Sequence, residues 1–320
     1  MLHLRIYLEN YSEAQDDELD FVDYEKHFTK NPCNIYIIGS RPRIVIDEKY
    51  LKYNNDEVEL LFKIQNEFLF EEIYSTLKLG RKIVGELKIE SVFPHSRFNL
   101  KDDIGFFLHG TEYQNKKDLQ LKANYALRNS ITTIDISKIS DFKALYIGES
   151  IKMHKKISPV KRLASHRKFQ HVLSKCNSSY VDKEIYIILC SFIGKVDLRA
   201  MDTELNAIGD ISKIMDKIQR DLSILNANNQ FITNVAEAAL IDYFDTKEFN
   251  RDFIGSFGRK THKYYSPIIK SQIDSISLEL DLSKLCNIYT ESTDICSYHS
   301  IEYKPKENFK IEIMQRRKEI

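Results

Sequence analysis

A ten-residue apolar run, Ile185 to Gly194, most constrains how this chain can fold. Within it Glu184 to Phe192 (EIYIILCSF) is rich in β-branched and aromatic residues, the composition of a strand covered on both faces at the centre of a sheet. The run is too short to cross a bilayer, which takes about 20 residues. The remaining elements must therefore build and cover a sheet around it.

Leu2 to Leu8, Asn34 to Ile38 and Arg43 to Ile46 read as strands, and Lys82 to Phe93 alternates as a strand does, followed by Ile104 to Leu108. Val58 to Leu77 carries helical spacing, with Leu60, Leu61, Ile64, Phe68 and Ile73 able to form one face. Residues 1–125 are thus expected to form a mixed α/β module for recognition or regulation, offering a surface for a protein partner. The polar stretch Thr111 to Lys122 (TEYQNKKDLQLK) is the expected boundary. After it, Ile131 to Ile136 and Phe142 to Ile147 read as a β-hairpin ending at Gly148. Ser158-Pro159 is a helix start, serine as N-cap and proline at the first helical position, and the helix should run to about Leu173. Asp210 to Leu225 has amphipathic helical spacing, and Asn234 reads as the N-cap of a further helix with Glu237 at its third position, the geometry of a capping box. Residues 126–255 form the expected central domain. Residues 256–320 read as a β-containing extension, with Ile276 to Leu282 and Phe309 to Met314 as strands.

Charge narrows the function classes. The 47 basic and 47 acidic residues cancel, so no global field draws the chain to nucleic acid. Locally the balance breaks: Ile151 to Val181 holds Lys152, Lys155, Lys156, Lys161, Arg162, Arg167, Lys168 and Lys175 and no acid. The five cysteines are odd in number and form no Cys-x-x-Cys pair, which argues against a zinc ribbon or a disulfide framework. The opening MLHLRIYLEN lacks a signal-peptide layout, so a cytoplasmic protein without a membrane role is expected.

Five residues carry the chemistry. Arg162 and His166 lie one turn apart on a stripe with Phe169 and Leu173, turned towards the protein body. An arginine placed so calls for an anionic partner, and a phosphate suits it. Tyr146 precedes the strand-ending Gly148, Glu237 lies on a later helix and Asn250 just beyond that helix. A tyrosine, an arginine, a histidine, a carboxylate and an asparagine together suit phosphodiester hydrolysis.

In this order the residues resemble the GIY-YIG nuclease superfamily over about 131–255. Tyr146-Ile147-Gly148 matches the second half of its signature, Arg162 and His166 the helix pair, Glu237 in Asn-Val-Ala-Glu-Ala-Ala-Leu-Ile the metal-binding glutamate, and Asn250 the asparagine beyond. The resemblance implies an α+β fold, a small antiparallel sheet flanked by helices, and a metal-dependent DNA endonuclease. Glu237 would hold Mg²⁺ or Mn²⁺, Arg162 would bind the phosphate, Tyr146 and His166 would position or deprotonate water, and Asn250 would orient its neighbours. Lys155, Lys156, Lys161, Arg167 and Lys168 would track the DNA backbone. About ten residues before Tyr146, where Gly-Ile-Tyr is expected, stands Thr132-Thr133-Ile134-Asp135-Ile136, which leaves water activation to Tyr146 or His166. Architecture of this kind suggests restriction or phage defence by analogy. The alternative is a degraded, non-cleaving module of the same type that binds DNA or protein.

Overall fold

The computed structural model describes residues 2–15, 32–54, 57–79, 88–101, 106–108, 111–113, 118–132, 139, 141–150, 167–198, 229–246, 248–250, 273–303 and 311–313. The chain forms two compact units. The first comprises residues 1–40, 141–175 and 185–320, and the second comprises 41–140 and 176–184. The second unit therefore interrupts the first at two places along the chain.

The first unit is built on strands β1 (Leu2–Ala14), β2 (Ile35–Pro42), β3 (Phe142–Glu149), β4 (Lys183–Leu198), β5 (Ile273–Asp281), β6 (Ile288–Tyr289), β7 (Tyr298–Tyr303) and β8 (Ile311–Ile313). They join in one sheet of order β6-β3-β2-β4-β1-β5-β7-β8, curled into a half-barrel. β3 pairs antiparallel with β2, and β1 antiparallel with β4 but parallel with β5. The apolar strand from Glu184 is β4, and it is interior to the sheet as its composition predicts. Ile187, Ile188, Leu189 and Cys190 are all fully buried, so both of its faces are covered.

Two helices of this unit are described, α1 (Arg167–Ser179) and α2 (Asn229–Phe244). Apolar on nearly all sides, α2 belongs inside a core rather than on a surface. Its Phe231, Val235, Ala239 and Leu240 share one buried cluster with Leu4, Ile6, Ile35, Ile37, Ile147 and Ile188 from the sheet. Gly194 on β4 permits the approach, since a Cβ there would lie 2.4 Å from Ile232 Cδ1.

The second unit holds a long hairpin of strands Glu57–Asn66 and Leu69–Lys78, a three-stranded sheet from Lys88–Glu90, Arg97–Lys101 and Asp118–Lys122, and a helix Ala123–Asn129. Its core gathers Val58, Leu60, Phe62 and Ile64 with Ile73, Leu77, Phe98 and Leu100.

Four expectations are corrected. The fold is not a small sheet flanked by helices. Its expected strands lie inside an eight-stranded mixed sheet, because β1 and β5 supply hydrogen-bonding edges beyond β4. Val58 to Leu77 is a hairpin, not a helix. The residues it gives to the unit's core cluster, 58, 60, 62 and 64, follow a period of two, and Glu67 turns the chain at φ 54°. The hairpin expected from Ile131 to Ile147 does not form either: Ile131–Thr132 pairs with Ser75–Thr76, whereas β3 takes β2 as its partner. Lastly, Asn234 lies inside α2, which starts at Asn229, so Glu237 belongs to no capping box. The expected cap at Ser158-Pro159 and the helix Asp210 to Leu225 lie outside the described residues.

Candidate functional site

The site forms around β3 because of an irregularity in that strand. Phe142 and Ala144 face the α2 side and join its core cluster. Regular alternation would put Tyr146 on that side too. The register with β2 shifts between Ala144 and Tyr146, and after the shift Ile147, not Tyr146, belongs to the cluster. One extra residue, Leu145, thus reverses the phase and turns Tyr146 and Gly148 to the opposite face.

On that face Tyr146 meets a second tyrosine. Gly148 pairs directly with Tyr36 on β2. The rings of Tyr36 and Tyr146 lie 5.9 Å apart, tilted by 36°. Both rings crowd Gly148: a Cβ there would lie 2.8 Å from Tyr146 Cε1, from Tyr36 Cζ and from the Tyr36 hydroxyl oxygen. Glycine at this position is required for room. The two rings are 2% and 5% exposed, so packing holds them together.

The outer edge of β3 completes the arrangement. β6 pairs only with Phe142 and Lys143, so beyond Lys143 this edge is met by side chains instead. Asn250, 1% exposed, substitutes for a strand residue: its Oδ1 accepts from the Ile147 N–H at 3.1 Å and its Nδ2 donates to the Ile147 carbonyl at 2.8 Å. The Thr246 hydroxyl donates to the same Oδ1 at 2.9 Å, and the Asn250 N–H bonds back to the Thr246 carbonyl. Two residues along, the Glu149 N–H donates to Glu237 Oε1 at 3.0 Å. Glu237 is 8% exposed, a carboxylate drawn in from α2 to the end of the strand. Asn34 makes the same kind of substitution between β2 and β4, bonding both the N–H and the carbonyl of Phe192 at 2.9 and 2.7 Å. Just past β3, the Ser150 hydroxyl donates to the Cys33 carbonyl.

Tyr146, Glu237 and Asn250 therefore come together on one strand segment, 146–149. Arg162, His166, Lys155, Lys156 and Lys161 lie outside the described residues. Arg167 opens α1 and is exposed, and Lys168 follows it in the same helix. At the other end of the basic segment, Lys175 pairs with Glu248 and lies 5.0 Å over the Phe249 ring, a structural use of one cation.

Sequence reasoning missed Tyr36. A signal was present, since Tyr36-Ile37-Ile38-Gly39 resembles Tyr146-Ile147-Gly148 with one isoleucine more. The partner strand does not lie just before Tyr146 in the sequence but ahead of residues 41–140 of the second unit.

The nearby thiols of Cys33 and Cys190 are buried. Burial pushes Cys33 up to about 12 and Cys190 well above the usual thiol value, keeping both protonated near neutral pH. Among the described residues, no group of three or more His, Cys, Asp or Glu is arranged to hold a metal. A closed zinc-type centre is thus not built from them. A single anchored carboxylate does suit Mg²⁺, which keeps several waters and binds through one or two carboxylates plus substrate phosphate. No helix among the described residues is long and apolar enough to cross a membrane. Comparison of the chain with protein-family models, curated proteins and solved structures finds no match.

Proposed function

We propose that this chain is a divalent-metal-dependent DNA nuclease of GIY-YIG type, whose two signature halves are Ile35-Tyr36 on β2 and Tyr146-Ile147-Gly148 on β3. One observation carries the reading: Tyr36 and Tyr146 pack over Gly148, while Asn250 and Glu237 are hydrogen-bonded to the residues on either side of it, Ile147 and Glu149. A tyrosine pair on one face of β3, and a carboxylate and a carboxamide at its outer edge, border the same four residues, 146–149. Core packing alone does not require a carboxylate there.

In this reading Tyr36 takes the role that Thr132 to Ile136 leave vacant, positioning the attacking water and taking its proton in company with Tyr146 or His166. Arg162 binds the scissile phosphate. Glu237 would hold Mg²⁺ or Mn²⁺, and the ion would supply charge stabilisation at the phosphate and the leaving oxygen. Asn250 fixes the edge of β3 and with it the two phenols. Lys155, Lys156, Lys161, Arg167 and Lys168 contact the DNA backbone, so affinity falls as salt rises. A role in restriction or phage defence is the setting we favour, by analogy of architecture.

The test is cleavage of supercoiled and linear DNA with Mg²⁺ or Mn²⁺ by wild type, Glu237→Gln and Tyr36→Phe. Metal-dependent cutting that Glu237→Gln abolishes and Tyr36→Phe lowers by about 10²-fold or more is expected. Salt-sensitive DNA binding without cutting, unchanged in Glu237→Gln, would establish the non-cleaving module instead. Cutting that persists in Glu237→Gln would refute the proposal.

A further inference from the structure

The polar residues of α2 near the site fall on one line. Gln230, Asn234 and Glu237 are spaced by four and three residues, so on a helix they stack along one face over about two turns, roughly 10 Å. The rest of this helix is mostly core. Its polar line meets one residue of β3, Glu149, at both ends. The Glu149 N–H donates to Glu237 Oε1 at 3.0 Å, and the Glu149 carboxylate Oε2 accepts from Gln230 Nε2 at 2.8 Å. The same Gln230 nitrogen donates to Asn234 Oδ1 at 2.9 Å. Both amide hydrogens are used, and turning the amide over would set its oxygen against two acceptors. The orientation of Gln230 is therefore fixed.

We propose that Gln230 and Glu149 are positioning residues for the Glu237 carboxylate, a proposal that rests on the metal-bearing role given to Glu237 above. Glu149 reaches Glu237 only through its backbone N–H. What aims that N–H is the tie between its own carboxylate and Gln230, two turns towards the N-terminus of α2. The tie also separates like charges, because it draws the Glu149 carboxylate towards the start of the helix, where an anion is favoured. When the tie is cut, the donor that orients Glu237 is released and a second carboxylate can turn towards it. Outer partners of this kind commonly change metal affinity by about 10–100-fold.

Direct Mn²⁺ binding to the full chain, followed by electron paramagnetic resonance of the free ion and by calorimetry, tests this without relying on cleavage. Melting curves establish that each variant is folded. Gln230→Ala and Glu149→Ala are expected to weaken Mn²⁺ binding by about 10–100-fold. Glu149→Gln keeps an acceptor for Gln230 without the charge, and is expected to bind close to wild type. Wild-type affinity in Gln230→Ala, with binding lost in Glu237→Gln, would overturn the positioning role alone. A loss in Glu149→Gln as large as in Glu149→Ala would assign the effect to charge and also overturn it. Absence of Mn²⁺ binding by the wild type would overturn the metal-bearing reading, and this proposal with it.

Discussion

Removing the Asn250 carboxamide should destabilise the first unit by several kcal/mol. Asn250→Ala deletes three hydrogen bonds: two to the Ile147 backbone and one from the Thr246 hydroxyl. The Ile147 N–H and carbonyl are left facing a cavity at a position only 1% exposed in the wild type. A buried polar group left unpaired costs about 1–3 kcal/mol, so the two backbone groups and the hydroxyl together put the loss at roughly 3–9 kcal/mol. For a unit of this size that corresponds to a fall in Tm on the order of 10 °C. Asn250→Asp sharpens the test, because it keeps the shape but turns an oxygen towards the Ile147 carbonyl. Its carboxyl gains a bond there only when protonated, so folding raises its pKa above the unfolded value of about 3.9. The deficit of this variant should therefore shrink as pH falls towards 4 and be full at pH 7. Calorimetry at pH 7 and pH 5, with hydrogen exchange at residues 146–149, would measure both effects. An Asn250→Ala variant melting within 2 °C of wild type, at roughly 0.5 kcal/mol, would show that water or a shifted strand satisfies Ile147. The view of Asn250 as a substitute strand residue would then be wrong.

Gly148→Ala asks whether the spacing of the two phenols matters. Its Cβ would start 2.8 Å from both rings, each of which must retreat by about 0.7–1.2 Å to reach ordinary contact. Overpacking of this kind costs about 1–3 kcal/mol, while misplacement near 1 Å can cost about 10²-fold in rate. Cleavage should thus fall far more than Tm, and equal cleavage by a folded variant would refute the requirement for this spacing. His299 gives a separate pH effect. Burial holds its pKa below the usual value near 6.5, partly opposed by the Ile288 and Cys296 carbonyls and by Asp294. Carbonyls only accept, so Nε2 carries the proton that it donates to both at 3.0 Å, and Nδ1 accepts from the Tyr243 hydroxyl at 2.9 Å. Burial in turn pushes the Tyr243 phenol up to about 12, keeping it a donor. Since the unfolded chain takes up the proton first, the stability from neutral His299 is full above about pH 6.5 and is lost as pH falls below it. His299→Asn should flatten that slope, by at most about 1.4 kcal/mol per pH unit in urea titrations at several pH values. An unchanged slope would refute the assignment.

What the chain revealed in advance depended on whether the deciding interaction was local. The strand at Glu184 to Phe192 was legible because burial on both faces needs an apolar residue at every position, a property of the strand itself. Tyr146, Glu237 and Asn250 each sit in a short pattern of their own, and the structure sets all three along residues 146–149. Val58 to Leu77 was misread because leucine, isoleucine and phenylalanine fit two periods at once, and the turn at Glu67, without Gly or Pro, carried no usual punctuation. Asn234 was misread because one asparagine suits a helix start and an interior polar line equally. The partner of β3 was illegible for a different reason. Ile131–Thr132 and β2 offer β3 equally plausible neighbours, and what distinguishes them is register: the shift at Leu145 matches Gly148 to a tyrosine whose ring needs the space of a missing side chain. Strand pairing ignores separation along the chain, so residues 41–140, most of a second unit, can stand between two paired strands. A strand partner hidden by such an insertion is therefore best sought by asking which other strand places a tyrosine opposite the glycine. In this chain Tyr36 meets that condition.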